Sequence, residues 1–255
     1  AAAAYADDDE VVVTQVVLAR PRVLVMDWMD GIPLARVAQT GDQPTRDAIA
    51  VRYQRFMLGA PMRTGLLHSD PHPGNFRLLA DGRLGVLDYG AAARVPGGLS
   101  PAIGRLMRTA LAGDAEQMLD GLREEGFVKP HVHVDAHELH NYLAPFVEPA
   151  AVDDFQFTRE WMREQFTRVN EPRADSYALA IKLNLPPSYL LIHRVGLAGI
   201  GVLCQLDARA PFRAELERWL PGFAADGKAT DGGTADSGVD RRKPAEDAAS
   251  PSAPA

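Results

Sequence analysis

The residues HSDPHPGN at 68–75 and LDYG at 87–90 decide how this sequence is interpreted. Between them lies Asp81-Gly82, which is typical of a two-residue hairpin turn, because a type I′ turn needs positive φ at both central positions. Such a loop places Asn75 directly opposite Asp88, and paired side chains in an antiparallel ladder lie about 4.5–5.5 Å apart. A bulged three-residue loop shifts the pairing by one residue and keeps the two side chains neighbours. The turn therefore predicts an amide oxygen and a carboxylate at one end of a small hairpin.

Asp70 lies in the same loop, five residues before Asn75. Pro71 and Pro73 stiffen this loop, because each proline ring fixes its own φ angle. A few oxygen ligands with room for water and phosphate form the kind of site that Mg²⁺ prefers. Phosphoryl transfer needs a metal on the phosphate oxygens and a further carboxylate that orients the nucleophile. Asn75 and Asp88 therefore suit the metal-binding role, and Asp70 suits the role of catalytic base or orienting residue.

The order of these residues matches the protein-kinase catalytic loop, in which an Asp precedes an Asn by five residues and an Asp-aromatic-Gly triplet follows. His68 takes the leading His position, and Asp88-Tyr89-Gly90 takes the place of the metal-binding triplet. Each short motif is weak by itself, whereas the ordered set with a hairpin between its parts is strong. The competing interpretation treats Asp70 and Asp88 as ordinary turn and cap residues.

A second segment, VLVMDWMDG at residues 23–31, is an apolar strand followed by an acidic, aromatic and glycine-containing link. It is similar to the last small-lobe strand and hinge of kinases, where main-chain groups hold an adenine. Here those groups are the carbonyl of Asp27 and the N–H of Met29, which we predict as cofactor-binding positions. The alternative is an ordinary strand and turn.

Elsewhere the hydrophobic pattern predicts short strands followed by a long helical region. The helix at residues 45–63 is expected to have Thr45 as its N-cap and to end or kink early at Gly59 and Pro61. The predicted strands are residues 11–18, 22–28, 76–79 and 84–87, with a short helix at 34–39. Residues 101–220 are predicted to be helical and broken at Pro130, Pro145, Pro172 and Pro186-Pro187.

The composition is that of a soluble globular protein, with 46% hydrophobic and 24% charged residues in 255. The single cysteine, Cys204, excludes a scaffold held by internal disulfides. A formal net charge of −7 without a basic stripe excludes nucleic acid as an expected partner.

The N-terminus lacks the pattern of a signal peptide, and its first residue is Ala1, so we expect a piece of a longer protein. The stretch 195–203 is shorter than the ~18 apolar residues of a membrane span. We therefore expect a buried helix there, and the alternative is a helix that contacts a membrane.

Three segments together resemble the AarF/UbiB family of atypical kinase-like proteins: the catalytic loop with its double proline, VLVMDWMDGIPL at 23–34 and LNLPPSYLLIHRVGLAGIGVL at 183–203. The resemblance covers roughly residues 11–223 and implies ATP and Mg²⁺ as cofactors, with ATPase activity better supported than protein phosphorylation. It also implies Asp70 as the catalytic residue, with Asn75 and Asp88 as metal ligands. Members of that family are linked to isoprenoid quinone (ubiquinone) biosynthesis. Ser69 and Tyr89 are mild departures, since relatives often carry Ala and Phe there.

The implied fold class is α+β: a protein-kinase-like C-lobe, mainly helical with short hairpins, whose N-lobe is largely missing. The family has a phosphate-pairing Lys before the hinge, whereas the four lysines here (Lys129, Lys182, Lys228 and Lys243) all follow it. We therefore expect a remnant of N-lobe strands and hinge at residues 1–31 and a kinase-like helical C-lobe at 32–223. Residues 224–255 are poor in large apolar residues, and we expect a disordered tail there.

Two other functions fit the sequence. One is a small-molecule phosphotransferase of the aminoglycoside or choline kinase type, which also uses an HxDxxxxN loop and a later Asp. The other is a pseudokinase-like module that binds a lipid or protein. By the resemblance, the expected partners are a nucleotide and a lipid or quinone precursor, with a cytoplasmic location and peripheral contact with a membrane.

Overall fold

The computed structural model describes residues 1–170 and 175–224. Ten short strands and nine α-helices lie in this part of the chain. The strands are β1 (Val11–Val13), β2 (Val16–Arg20), β3 (Val23–Met26), β4 (Ile32–Pro33), β5 (Leu66–His68), β6 (Phe76–Leu78), β7 (Leu84–Val86), β8 (Ala92–Arg94), β9 (Phe155–Gln156) and β10 (Arg209–Ala210). The helices are α1 (Leu34–Thr40), α2 (Gln43–Thr64), α3 (Pro101–Ala112), α4 (Ala115–Glu124), α5 (Ala136–Val147), α6 (Arg159–Asn170), α7 (Asp175–Lys182), α8 (Pro187–Leu206) and α9 (Phe212–Trp219).

This mixture of short sheets and many helices confirms the coarse α+β prediction. The predicted disordered tail, apart from Ala224, lies outside the described residues, as does the predicted break at Pro172. The predicted helical region after residue 100 is mainly helical, but residues 125–135 and 151–158 are not, and it also contains the two-residue strands β9 and β10, which pair with each other. Helix α5 runs through Pro145, so the predicted break at that position is wrong.

Helix α2 is the central element of the fold. The predicted cap at Thr45 is wrong: Asp42 is the N-cap, and its carboxylate accepts a hydrogen bond from the Thr45 N–H at 3.0 Å. Pro61 lies within the last turn, and the helix ends only at Thr64, where Gly65 adopts φ +66°. The buried face of α2 includes Tyr53 and Phe56, each 1% exposed.

The largest sheet has the strand order β1-β7-β6-β4. The predicted strand at residues 11–18 divides in two, because β1 pairs in parallel with β7 while β2 turns away to pair with β3. Thr14 marks the point of division, since its N–H donates to the carbonyl of Val86 at 3.0 Å. Val11 and Val13 are buried in the core, whereas every residue of β2 and β3 is exposed.

Helix α8 packs against α1, α2 and α6. Within the described ranges it alone is long and apolar enough to cross a membrane, with a mean hydropathy of 1.5 and 33% of that stretch buried. The expectation of a buried helix thus holds for one face, which includes Val195, Gly199 and Val202, while Leu190 and Leu197 are exposed.

Candidate functional site

The hairpin β6–β7 has a three-residue loop rather than the predicted two-residue turn. Leu79 pairs with Arg83 through a 3.0 Å hydrogen bond from the Leu79 N–H, and Gly82 adopts φ +88°. This positive φ is what a bulged loop with glycine at its last position requires. The carboxylate of Asp81 accepts from both the backbone N–H and the Nε of Arg83, which fixes the turn.

The longer loop moves the register by one residue, so the predicted pairing of Asn75 with Asp88 is wrong. Leu87 faces Asn75 instead, and the Leu87 N–H donates to the Asn75 carbonyl at 3.0 Å. Asp88 is the next residue along the chain. The bulged alternative, in which the two residues remain neighbours at the end of the hairpin, therefore describes the structure.

A second strand pair, β5–β8, lies next to the residues that precede the catalytic loop and those that follow Asp88-Tyr89-Gly90. His68 pairs with Ala92, and the Ser69 N–H donates to the carbonyl of Ala91 at 2.7 Å. Because β5 ends at His68 and β8 begins two residues after Gly90, Asp70 and the triplet at 88–90 start from adjacent strand ends. Strand β8 was not predicted, because its residues AAR have a low strand propensity.

Asp70 and Asn75 are in direct contact. The Nδ2 of Asn75 donates to the Asp70 Oδ2 at 2.9 Å and to the Asp70 carbonyl at 3.1 Å. A short 3-10 turn at Pro73–Asn75 positions the amide, and the Nδ1 of His72 caps it by accepting from the Gly74 N–H at 3.0 Å. A Cβ at position 74 would lie 2.9 Å from that Nδ1, so glycine permits the cap.

Asp88 and Asn75 each retain an oxygen for a further ligand. The Oδ1 of Asp88 accepts from the Gly90 N–H at 2.6 Å. Within the described residues, the Asp88 Oδ2 and the Asn75 Oδ1 have no hydrogen-bond partner. Two such oxygens suit Mg²⁺, which is commonly held by one or two protein ligands together with phosphates and water. In the same part of the chain, no group of three or more His, Cys, Asp or Glu side chains forms a denser metal site.

Buried aromatic rings pack beside the loop at residues 68–75. The ring of His68 lies 5.3 Å from that of Phe76 and 5.1 Å from that of Tyr89, between centroids. The hydroxyl of Tyr53, on α2, donates to the carbonyl of Pro71 at 3.2 Å. The bond joins partners that lie 18 residues apart, so the local sequence pattern does not predict it.

His68 is a buried residue beneath the loop. It is 2% exposed, and neither ring nitrogen has a hydrogen-bond partner in the described residues. Burial lowers the pKa of His68, and the nearby backbone of Asp88, followed by the charges of Asp70 and Asp88, opposes this shift without cancelling it. The His68 side chain therefore contributes to the site by packing against the neighbouring aromatic rings.

A cleft of about 430 Å³ lies at the other end of the hairpin. Asp27 and Met29 line it together with residues 12–15 and the β6–β7 loop at 79–81. Within the described residues, neither the Asp27 carbonyl nor the Met29 N–H takes part in a hydrogen bond. The Met29 side chain lies over Gly85, where an added Cβ would meet the sulfur, so the small residue in β7 makes room for it.

The hairpin therefore joins the two predicted binding regions. The loop at 79–81 lines the cleft, whereas Asn75 and Asp88 lie at the opposite end of β6 and β7. Four residues of extended chain separate Leu79 from Asn75, which corresponds to about 13 Å. Of the predicted positions, Asp70, Asn75 and Asp88 form one group, and Asp27 and Met29 form another.

Comparisons with known proteins were made by sequence and by structure. The family model of the ABC1 atypical kinase-like domain matches residues 1–121. The uncharacterized protein slr0889 of Synechocystis is 32% identical over 99 residues, which cover 35% of this chain and 24% of that protein. ACTIVITY OF BC1 COMPLEX KINASE 1, chloroplastic, of Arabidopsis thaliana is 40% identical over 83 residues, covering 30% and 11%.

Among solved structures, a complex of Rv3197 with erythromycin from Mycobacterium tuberculosis superposes with a TM-score of 0.79 at 34% identity. The match covers 88% of this chain and 56% of that one. The chain thus spans a quarter or less of these two curated relatives and a little over half of the solved one.

Proposed function

Residues 1–121 of this chain form an ABC1 atypical kinase-like domain, and on that premise we propose that the protein takes part in Mg²⁺- and ATP-dependent phosphoryl chemistry. The observation that carries the proposal is the contact between Asn75 and Asp70 at the end of a hairpin that leads directly into Asp88. A kinase-like site requires them to meet, because metal and nucleophile must be positioned together.

Each polar residue of the loop has a separate task in this proposal. Asp70 accepts the proton of the attacking hydroxyl or water and orients it. Asn75 holds the Asp70 carboxylate through its Nδ2 and offers its Oδ1 to the metal. Asp88 offers its Oδ2, while the Gly90 N–H fixes its other oxygen. When bound there, Mg²⁺ neutralises phosphate charge.

The cleft at the hinge is proposed to hold the adenine. Its size fits the lower range of small-molecule sites, about 300–1,000 Å³, and its backbone offers an acceptor at Asp27 and a donor at Met29. The hairpin between the cleft and Asp88 provides an extended nucleotide with a path towards the metal. In this arrangement residues 1–31 are the hinge and the edge of an N-lobe, and residues 32–223 form the C-lobe.

The finer assignments rest on the family resemblance. We propose that the phosphoryl chemistry supports isoprenoid quinone biosynthesis and that a lipid or quinone precursor is a partner. A cytoplasmic location with peripheral membrane contact belongs to the same proposal, and the exposed apolar residues of α8 support such a contact.

A binding module of the pseudokinase type is the second candidate. The observation that favours it is the position of the first lysine, Lys129, far beyond the hinge. A kinase needs a lysine on the phosphates for turnover. A small-molecule phosphotransferase is a third candidate, since it uses the same loop, but the match to an ABC1 domain disfavours it.

Nucleotide titration tests the proposal. We expect these 255 residues to bind Mg·ATP weakly in calorimetry, because no lysine precedes the hinge in their sequence. A longer polypeptide that includes the preceding coding sequence should bind at least about tenfold more tightly, and only in the presence of Mg²⁺. Tight binding by the 255 residues alone would contradict the incomplete site, and absent binding by the longer polypeptide would contradict the nucleotide proposal.

A further inference from the structure

A second cavity lies behind the catalytic loop, between α2, α3, α8 and α9, and measures about 260 Å³. Its lining is almost entirely apolar, with leucine, isoleucine, methionine and phenylalanine side chains from all four helices. Among the described residues, three polar side chains line it: Tyr53, Gln54 and His193. The cavity is separate from the hinge cleft, and the phosphoryl chemistry proposed above makes no use of it.

Gln54 gives the cavity a specific polar feature. Gln54 is 3% exposed, and its Nε2 donates to the carbonyl of Phe212 at 3.4 Å. Its Oε1 is buried and has no partner among the described residues. The hydroxyl of Tyr53 cannot satisfy it, because that hydroxyl already donates to Pro71. A buried acceptor without a donor is costly, and a ligand that donates one hydrogen bond removes the cost.

The cavity has an inner and an outer end. Gln54, Phe212 and Leu216 are buried at the inner end, whereas Gly196 and Leu197 on α8 are exposed at the outer end. A ligand therefore enters with its polar group first and leaves its apolar part near the surface of α8. An apolar cavity of about 150 Å³ already holds benzene, so this one accommodates a chain of about nine or ten heavy atoms.

We propose that this cavity is a binding site for a medium-chain aliphatic alcohol, whose hydroxyl donates to the Oε1 of Gln54 while its chain lies among the apolar residues of α3 and α8. The apolar lining provides most of the binding free energy. The amide selects a donor over an acceptor, because an ether oxygen at the same place leaves Gln54 unsatisfied.

Two isomers of equal size test the proposal. In isothermal titration calorimetry with the full chain, n-nonanol should bind saturably and at least about tenfold more tightly than methyl octyl ether, which donates no hydrogen bond. Gln54→Leu should remove this preference and leave the affinity for the ether within about twofold. Retained ether binding also shows that the variant is folded.

A matched pair on α8 locates the ligand. Gly196 lines the cavity, whereas Gly201 lies on the same helix outside its lining, and an added Cβ meets nothing within 4 Å at either position. Gly196→Leu should weaken binding of both isomers at least about tenfold by filling the cavity, and Gly201→Leu should leave both unchanged. Absent saturation, equal affinities for the two isomers, or equal effects of the two glycine variants would each overturn the proposal.

Discussion

The amide of Asn75 donates to a carboxylate oxygen of Asp70 at 2.9 Å. Two residues that stand five apart in the sequence are thereby held as one unit, and the three-residue turn at Pro73–Asn75 brings them together. The contact links the candidate metal ligand to the candidate base, so a substitution at either residue should alter the position of the other side chain.

Asn75→Asp replaces the donor with a second carboxylate. The hydrogen bond is then lost and two like charges face each other, so we expect the free energy of unfolding to fall by about 1 kcal/mol at neutral pH. Urea denaturation measures this. Asn141→Asp, an equal charge change at an exposed site on α5, should stay within about 0.5 kcal/mol. Equal losses in the two variants would show that charge alone, and not the contact, is responsible.

Asp88→Asn keeps the shape of the side chain and its acceptor for the Gly90 N–H, but removes the charge offered to the metal. In a polypeptide that hydrolyses ATP, we expect Mg²⁺-dependent turnover to be lost, as measured by phosphate release. His133→Ala alters an exposed histidine remote from the loop and should leave the rate unchanged. An Asp88→Asn variant with an unaltered rate would refute the metal assignment.

Tyr53→Phe removes only the hydroxyl that donates to Pro71. Because that carbonyl is left without its buried partner, we expect a loss of about 0.5–1.5 kcal/mol in the free energy of unfolding. The control is Tyr142→Phe on α5, whose partly buried hydroxyl has no hydrogen bond in the described residues. If the two variants lost equal stability, the bond to the loop would contribute nothing.

Acid should weaken the attachment of the N-terminal segment. Burial of Asp8 opposes its ionisation, but hydrogen bonds from Arg63 and from the N–H groups of Glu10 and Val11 outweigh it and lower the pKa below the ordinary 3.8. The folded state binds the proton less readily than the unfolded state. The stabilisation is therefore complete above the ordinary pKa and is lost as the pH falls through the folded pKa.

Asp8→Asn should accordingly be less stable than the parent at neutral pH, and the difference should shrink at acidic pH. Chemical denaturation across the acid range measures both. Asp9→Asn carries the same charge change at an exposed residue without a described partner, so its free energy of unfolding should follow the parent at every pH. A constant difference between Asp8→Asn and the parent would contradict the role of ionisation.

Gly104→Ala tests how the C-terminal segment packs on α3. An added Cβ would collide with the carbonyl oxygen of Pro221 and the nitrogen of Phe223, which are backbone atoms that cannot rotate away. We expect a loss of about 1–3 kcal/mol, measured by thermal unfolding. Gly201→Ala has free space and should gain up to about 1 kcal/mol from helix propensity. A stabilised Gly104→Ala variant would be inconsistent with this close packing.

The sequence was sufficient to predict the hairpin and the candidate site residues beside it. The spacing of Asp70, Asn75 and Asp88 and the turn residues at 81–82 are local features, and local features determine hairpins and short loops. The strands at 76–78 and 84–86 follow their predicted positions closely for the same reason. The loop length was not decided by the Asp-Gly pair alone, because the two hydrogen bonds from Arg83 to Asp81 favour the wider turn.

The contacts that join distant segments required the tertiary structure. Strand β1 pairs in parallel with β7 across more than seventy residues, and Tyr53 supports Pro71 from another element. Nothing in the local sequence sets Gln54 apart from the other residues of α2, and only the packing of α8 and α9 leaves its Oε1 buried without a partner among the described residues. Residue type and spacing determined which groups are candidates for the functional site. The tertiary structure decided which of them meet, because burial and long-range pairing depend on how distant segments pack together.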